Sequence, residues 1–287
     1  MLWAILSILS GFSTATSDAL LKKHLVKANT MLVVWSRFAF ASLFLLLLLP
    51  FVEIPKLDIT FWVIALILVP LEIVALFLYV KAVQQSPLSL TLPFLAFTPL
   101  FLIPISYFLL GELPTIIGIF GIVLIVAGSY ALNFSHIGKG ILEPFKELFR
   151  NKGSLMMLAV AFIYSITSAI SKIAVQRSNA LFFSIFYTIL ILIVLSAFIF
   201  NKLIRNFNSI KNNVKGFAYS GFLYGLMILF HFIALSLVIV PYMIALKRTS
   251  SIFGVAYGWL MFKERKIAER MIGTLIMVFG VILILLF

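Results

Sequence analysis

The sequence predicts an all-α membrane protein, with ten transmembrane helices arranged as two inverted five-helix repeats. Three observations predict it. The 287 residues are 63% hydrophobic and 11% charged, whereas a soluble domain is about 45–50% apolar and about 25% charged; the mean hydropathy is +1.21. Ten apolar stretches each have roughly the 20 residues that carry a helix across a bilayer. Finally, the chain matches itself at an offset of 150 residues that widens to 152.

In chain order the spans read 2–21, 31–52, 60–82, 88–110 and 114–133, then 154–175, 181–200, 215–236, 241–262 and 267–287. Span 1 has no basic leader before Leu2 and no small-residue cleavage site after it, so it reads as a retained helix. Span 3 carries Pro70, and span 4 carries Pro93, Pro99 and Pro104, which bend or break a helix. Span 9 has no proline after Pro241 but holds Gly254 and Gly258. The connections are short except 134–153 and 201–214. The run EPFKELFRNK (143–152) reads as an interfacial linker between a first repeat, 1–133, and a second, 154–287.

The self-match is specific in its order. An offset of 150 places Lys22 on Lys172, Lys27 on Arg177 and Asn29 on Asn179. An offset of 152 places Ala82 on Ala234, Glu112 on Glu264, Gly121 on Gly273 and Gly128 on Gly280. Five spans per copy is odd, so the second copy must cross in the opposite sense. Inverted repeats are a transporter architecture, with the substrate site near the midplane where the copies meet.

Charge sets the orientation. The loops after spans 1, 3, 5, 7 and 9, with their flanks, hold 16 Lys/Arg, and the opposite side holds three: Lys56, Lys172 and Arg177. The positive-inside bias puts the rich side in the cytoplasm and both termini outside it, in a multi-pass protein of the cytoplasmic membrane. The net charge of +13 is therefore a topology signal and not a nucleic-acid signal. With no cysteine and three histidines, thiol chemistry and disulfides are excluded and no metal site, cofactor or catalytic residue is expected.

Six polar residues inside spans are the candidates for function. Lys247 and Arg248 are adjacent in the apolar segment Pro241–Phe262. One cation at a helix centre costs roughly 2.5 kcal/mol to well over 10. They either pair with Glu72 or reach the interface, or they line a cavity that takes an anion, which suits the Arg fork. Adjacent helical residues project about 100° apart, which favours the cavity. Glu72, two residues after Pro70, is either a fixed ion-pair partner or a carboxylate that couples transport to a proton. The offset places Glu72 opposite Tyr224 and Tyr79 opposite His231. Each pair is seven residues apart on its helix, so Tyr79, Tyr224 and His231 are read as cavity wall or as packing. Ser7, Ser10, Thr14 and Ser17 form one stripe of span 1, and Tyr164, Thr167 and Ser171 one of span 6, read first as helix packing. Asp18 and Lys22 are expected to pair locally, and Arg37 to reach the interface. Glu112 and Glu264 are expected at helix turns, each beside the next helix N-terminus.

The stretches SPLSLTLPFLAFTPLFLIPISYFLLGELPTIIGIFGIVLIVAGSYAL (86–132) and VPYMIALKRTSSIFGVAYGWLMFKERKIAERMIGTLIMVFGVILILL (240–286) resemble the end of an EamA domain of the drug/metabolite transporter superfamily. The shared features are Gly111-Glu112 and Lys263-Glu264 at a helix end, then a glycine-rich closing helix. Two such copies cover the chain, and the resemblance implies ten helices, a central cavity and alternating access. The run ALKRTSSI (245–252) is also similar to the Lys-Arg motif on the ninth helix of the plastidic triose-phosphate/phosphate translocators. That resemblance implies that Lys247 and Arg248 hold an anionic group.

The expected function is secondary transport of a small organic anion or zwitterion by alternating access. Lys247 and Arg248 would hold the substrate, Tyr79, Tyr224 and His231 would line the site, and Glu72 would couple. The expected partners are that solute and the lipid bilayer, with the protein working as a monomer. The alternative within transport is proton-coupled export of amphipathic metabolites or drugs. A membrane-embedded enzyme on lipid-linked substrates is the distant alternative, since the deep acids, histidines and loops it would need are sparse.

Overall fold

A computed structural model describes residues 1–25, 27–86, 92–131, 152–205, 211, 213–263 and 267–286. Most of the 134–153 linker and Glu264 lie outside these residues. The elements are α1 (Leu2–Leu25), α2 (Thr30–Leu46), α3 (Ile59–Gln85), α4 (Thr98–Leu110) and α5 (Ile116–Ala131). They continue as α6 (Lys152–Gln176), α7 (Ala180–Arg205), α8 (Val214–Leu237), α9 (Val240–Lys247), α10 (Ser250–Phe262) and α11 (Ile267–Leu286). Short 3-10 turns stand at Leu49–Phe51 and Leu92–Phe97. Five helices (α1, α3, α6, α7 and α8) are long and apolar enough to cross a membrane, and four other apolar helices run 10–17 residues.

The residues that match in sequence do matching structural work. Asn29 Oδ1 accepts the Met31 N–H at 3.0 Å before α2, and Asn179 Oδ1 accepts the Phe182 N–H at 2.7 Å before α7. Lys22 Nζ donates to the Ser86 carbonyl at 2.6 Å, and Lys172 Nζ donates to the Val238 carbonyl at 2.6 Å. Ser86 and Val238 are 152 residues apart. Gly111 (φ 68) and Lys263 (φ 53), also 152 apart, are the left-handed caps that end α4 and α10; that backbone form is the common helix stop.

Glycines let α5 and α11 lie backbone to backbone. A Cβ at Gly121 would stand 2.8 Å from the Gly280 carbonyl oxygen, and one at Gly128 would stand 2.6 Å from that of Gly273. Each glycine thus meets the repeat counterpart of the other. Such small residues let helices approach closely where lipid offers no hydrophobic drive.

Spans 4 and 9 are both discontinuous. Span 4 is a 3-10 turn, Leu92–Phe97, followed by α4; span 9 is α9 followed by α10. The second pieces begin at Thr98 and Ser250, again 152 apart. Prolines account for span 4. Span 9 breaks at Arg248 and Thr249 without one: Arg248 and Thr249 caps are followed by Ser251 N–H to Arg248 O at 3.1 Å and Ile252 N–H to Thr249 O at 2.9 Å, tight i→i+3 bonds. Gly11 of α1 packs on the break, where a Cβ would stand 2.6 Å from the Lys247 carbonyl oxygen.

Candidate functional site

One buried cavity lies among α1, α2, α3, α6, α7, α8 and the α9–α10 break. It leaves about 90 Å³ for the centres of water-sized molecules, several times the roughly 10–15 Å³ that one water needs. Lys247, Arg248, Tyr79, Tyr224, His231 and Glu72 all line it. So do Arg37, Thr14, Tyr187 and, from α6, Tyr164, Thr167 and Ser171.

The break in span 9 aims both cations inward. Lys247 Nζ lies 3.0 Å from His231 Nδ1 and 3.3 Å from Met227 Sδ. Arg248 Nη2 donates to Thr98 Oγ1 at 2.9 Å, at the discontinuity of span 4, and the guanidinium lies 5.9 Å from the Tyr164 ring. The two broken spans are thus joined at their breaks. Arg248 is 5% exposed, yet its Nε has no hydrogen-bond partner among the described residues. Tyr187 Oη and Arg37 Nε share that state. All three donors belong to residues that line the cavity, where water or a ligand can reach them.

Glu72 makes no ion pair within 4.0 Å of Lys247 or Arg248 among the described residues. It is half-buried and sits close to Thr167 of α6. The fixed-pair alternative for Glu72 therefore does not describe this structure.

Two expectations are corrected. Asp18 does not pair with Lys22. It is 0% exposed and binds Arg37 Nη2 at 2.6 Å while accepting the Tyr79 hydroxyl. Asp18 points into the bundle, so only groups inside it can offset its burial; Lys22, one turn nearer the helix end, reaches Ser86 instead. Arg37 does not reach the interface but is 2% exposed, with its guanidinium 5.2 Å from the Tyr224 ring. Glu112 stands in the turn between α4 and α5, and there it binds Lys172 Nζ at 2.6 Å and accepts the Val240 N–H at 2.8 Å, at the start of α9. The span 1 stripe divides its work. Ser10 and Ser17 bond α8 through the Met227 and Ser220 carbonyls at 3.1 and 2.8 Å, and Thr14 faces the cavity.

Arg37 and Tyr187 are wall residues that sequence reading missed, as is Asp18 behind Arg37. Arg37 carried the same signal as Lys247, a cation within an apolar span. Asp18 continues the Ser7–Thr14 face. Tyr187 had no signal beyond its residue type.

The model of the EamA-like transporter family matches residues 1–134 and 151–286. A solved structure described only as "Crystal structure of protein" shares 16% identity and a TM-score of 0.69 over 98% of each chain; at that identity the likeness speaks for fold alone. No curated protein matches the sequence.

Proposed function

The chain belongs to the EamA-like transporter family, and we propose that it is a secondary transporter of a small organic anion or zwitterion in the cytoplasmic membrane. The observation that carries this is the charge of one buried wall. Arg37, Lys247 and Arg248 face the cavity, while Glu72 and the Asp18 behind Arg37 are the nearby acids. With all five ionised, the wall holds one positive charge in excess. An anion with hydrogen-bond acceptors offsets it and meets the unpartnered Arg248 Nε and Tyr187 Oη.

In this reading the ten spans form two inverted copies, 1–133 and 154–287, with both termini outside the cytoplasm. The matched lysine bonds, the matched caps and the reciprocal glycine contacts support the inverted relation. The joined breaks of spans 4 and 9 support a site at the midplane. Alternating access then consists of one copy rocking on the other about that site.

The test is ligand stabilisation of purified protein. A ligand at 100 times its Kd stabilises by about 2.7 kcal/mol, so phosphorylated and carboxylated metabolites are screened for a rise in melting temperature. Lys247→Ala and Arg248→Ala should each stay folded and lose the rise. If both variants fail to insert or aggregate, the two cations are structural and the anion reading falls.

A further inference from the structure

Helices α3 and α7 touch at one end and part along the rest. The contact is aromatic: Phe61 lies 5.3 Å from Phe186 and 6.1 Å from Phe183, and Trp62 lies 5.7 Å from Phe186. Beyond it runs a groove of about 530 Å³ between Ala65, Val69 and Ile73 of α3 and Leu190, Val194 and Phe198 of α7. The wall is almost wholly apolar. From Trp62 to Val74 it extends ~18 Å along the helix.

The two copies differ here among the described residues. The counterparts of Val69 and Ile73, at an offset of 152, are Gly221 and Gly225 of α8. There α2 closes in: a Cβ at Gly221 would stand 2.5 Å from Phe40 Cβ, and one at Gly225 would stand 3.2 Å from Ala41 Cα. Side chains stand where those glycines would have let α7 approach α3.

The groove and the cavity are lined by neighbouring residues of the same two helices. On α3, Glu72 and Leu76 line the cavity while Val69 and Ile73 line the groove. On α7, Tyr187 lines the cavity, and Leu190, one turn on, lines the groove. Tyr187 is 6% exposed, and Glu72 is half-buried. We propose that the transported anion is a single-chain amphiphile, its head held by Lys247 and Arg248 and its apolar chain lying in the α3–α7 groove. This rests on the anion reading above. The groove gives an apolar chain a place near a cationic site.

The test uses full-length protein in phosphatidylcholine nanodiscs and dodecyl phosphate with a photoactivatable group on its chain. Cross-links should map to residues 65–74 and 190–198. Unlabelled dodecyl phosphate should compete at least about tenfold more strongly than butyl phosphate. Arg248→Gln should abolish the cross-link, because the head has lost its anchor. Val194→Trp, which fills the groove, should abolish it while butyl phosphate still raises the melting temperature. Ile193→Trp, on the exposed face of α7, should leave it intact. A cross-link that survives Arg248→Gln would show bilayer chains resting in the groove and overturn the proposal. Equal competition by butyl phosphate would overturn the groove and keep the anion reading. Failure of both alkyl phosphates to bind would sink both.

Discussion

Arg37 and Lys247 are both cations inside apolar helices, and their surroundings give them opposite tasks. Arg37 has a carboxylate at 2.6 Å, whereas Lys247 has none within 4.0 Å among the described residues. Removing one partner of a buried ion pair leaves an uncompensated charge and costs about 3–5 kcal/mol. Arg37→Ala should therefore destabilise the protein by that order in denaturant melts, and Asp18→Asn added to it should recover part of the loss. Equal melts for wild type and Arg37→Ala would show that the pair is not holding α1 to α2. Glu72 has a different expectation. In the proposed function a bound anion would screen Lys247 and favour a proton on Glu72, so that substrate and proton would bind together, each raising the other's affinity. Glu72→Gln should bind substrate with an affinity independent of pH. Identical pH profiles for wild type and variant would remove Glu72 from coupling. At this scale the sequence made Lys247, Arg248 and Glu72 legible because a charge within an apolar run stands out. The i, i+4 spacing of Asp18 and Lys22 misdirected, since spacing along a helix says nothing of which face the bundle covers.

Helices were legible from apolar length, and prolines announced the break in span 4. The break in span 9 was not legible. It comes from two residues settling into a tighter turn at Arg248 and Thr249, with α1 pressed against it at Gly11. That contact belongs to tertiary packing, which no local pattern encodes. The paired glycines of α5 and α11 were visible as a repeat, but their reciprocal contact was not. It yields a prediction with a decisive sign. An unpacked helical glycine changed to alanine gains roughly 1 kcal/mol of helix propensity. At Gly128 the added Cβ would meet the Gly273 carbonyl oxygen at 2.6 Å and Met277 N at 2.7 Å, neither of which can swing away. Gly128→Ala should therefore lower stability by about 1–3 kcal/mol, the usual cost of overpacking, measured by thermal melting. A stabilised variant would mean that α5 and α11 do not lie as close as described.

For the whole molecule the question is which end is shut. At one end polar ties join the halves, among them Arg177 to Asp58 at 2.6 Å, Lys172 to Glu112 at 2.6 Å, and Asn179 Nδ2 to the Glu53 carbonyl at 2.9 Å. The aromatic contact of α3 and α7 lies beside them. Asp58 is held below the usual carboxylate range, first by the Phe61 N–H it caps and then by Arg177. A depressed folded value means its contribution is present above the unfolded carboxylate value of about 3.9 and is lost as pH falls through the folded one. The tie is thus constant through the physiological range, and pH dependence of transport there must arise elsewhere, at Glu72 in our reading. If access alternates, this end must open in each cycle. The chain has no native cysteine, so Asp58→Cys/Arg177→Cys can be joined cleanly by a short, membrane-impermeant bismaleimide. Added to intact cells, the reagent should react if this end lies outside the cytoplasm, as the proposed orientation has it. The joined protein should still bind ligand from the other side but carry out no transport, and each single-cysteine variant should transport normally. Reaction only in inverted vesicles would reverse the orientation. Full transport by the joined protein would show that the end stays shut throughout, and alternating access about this site would fail.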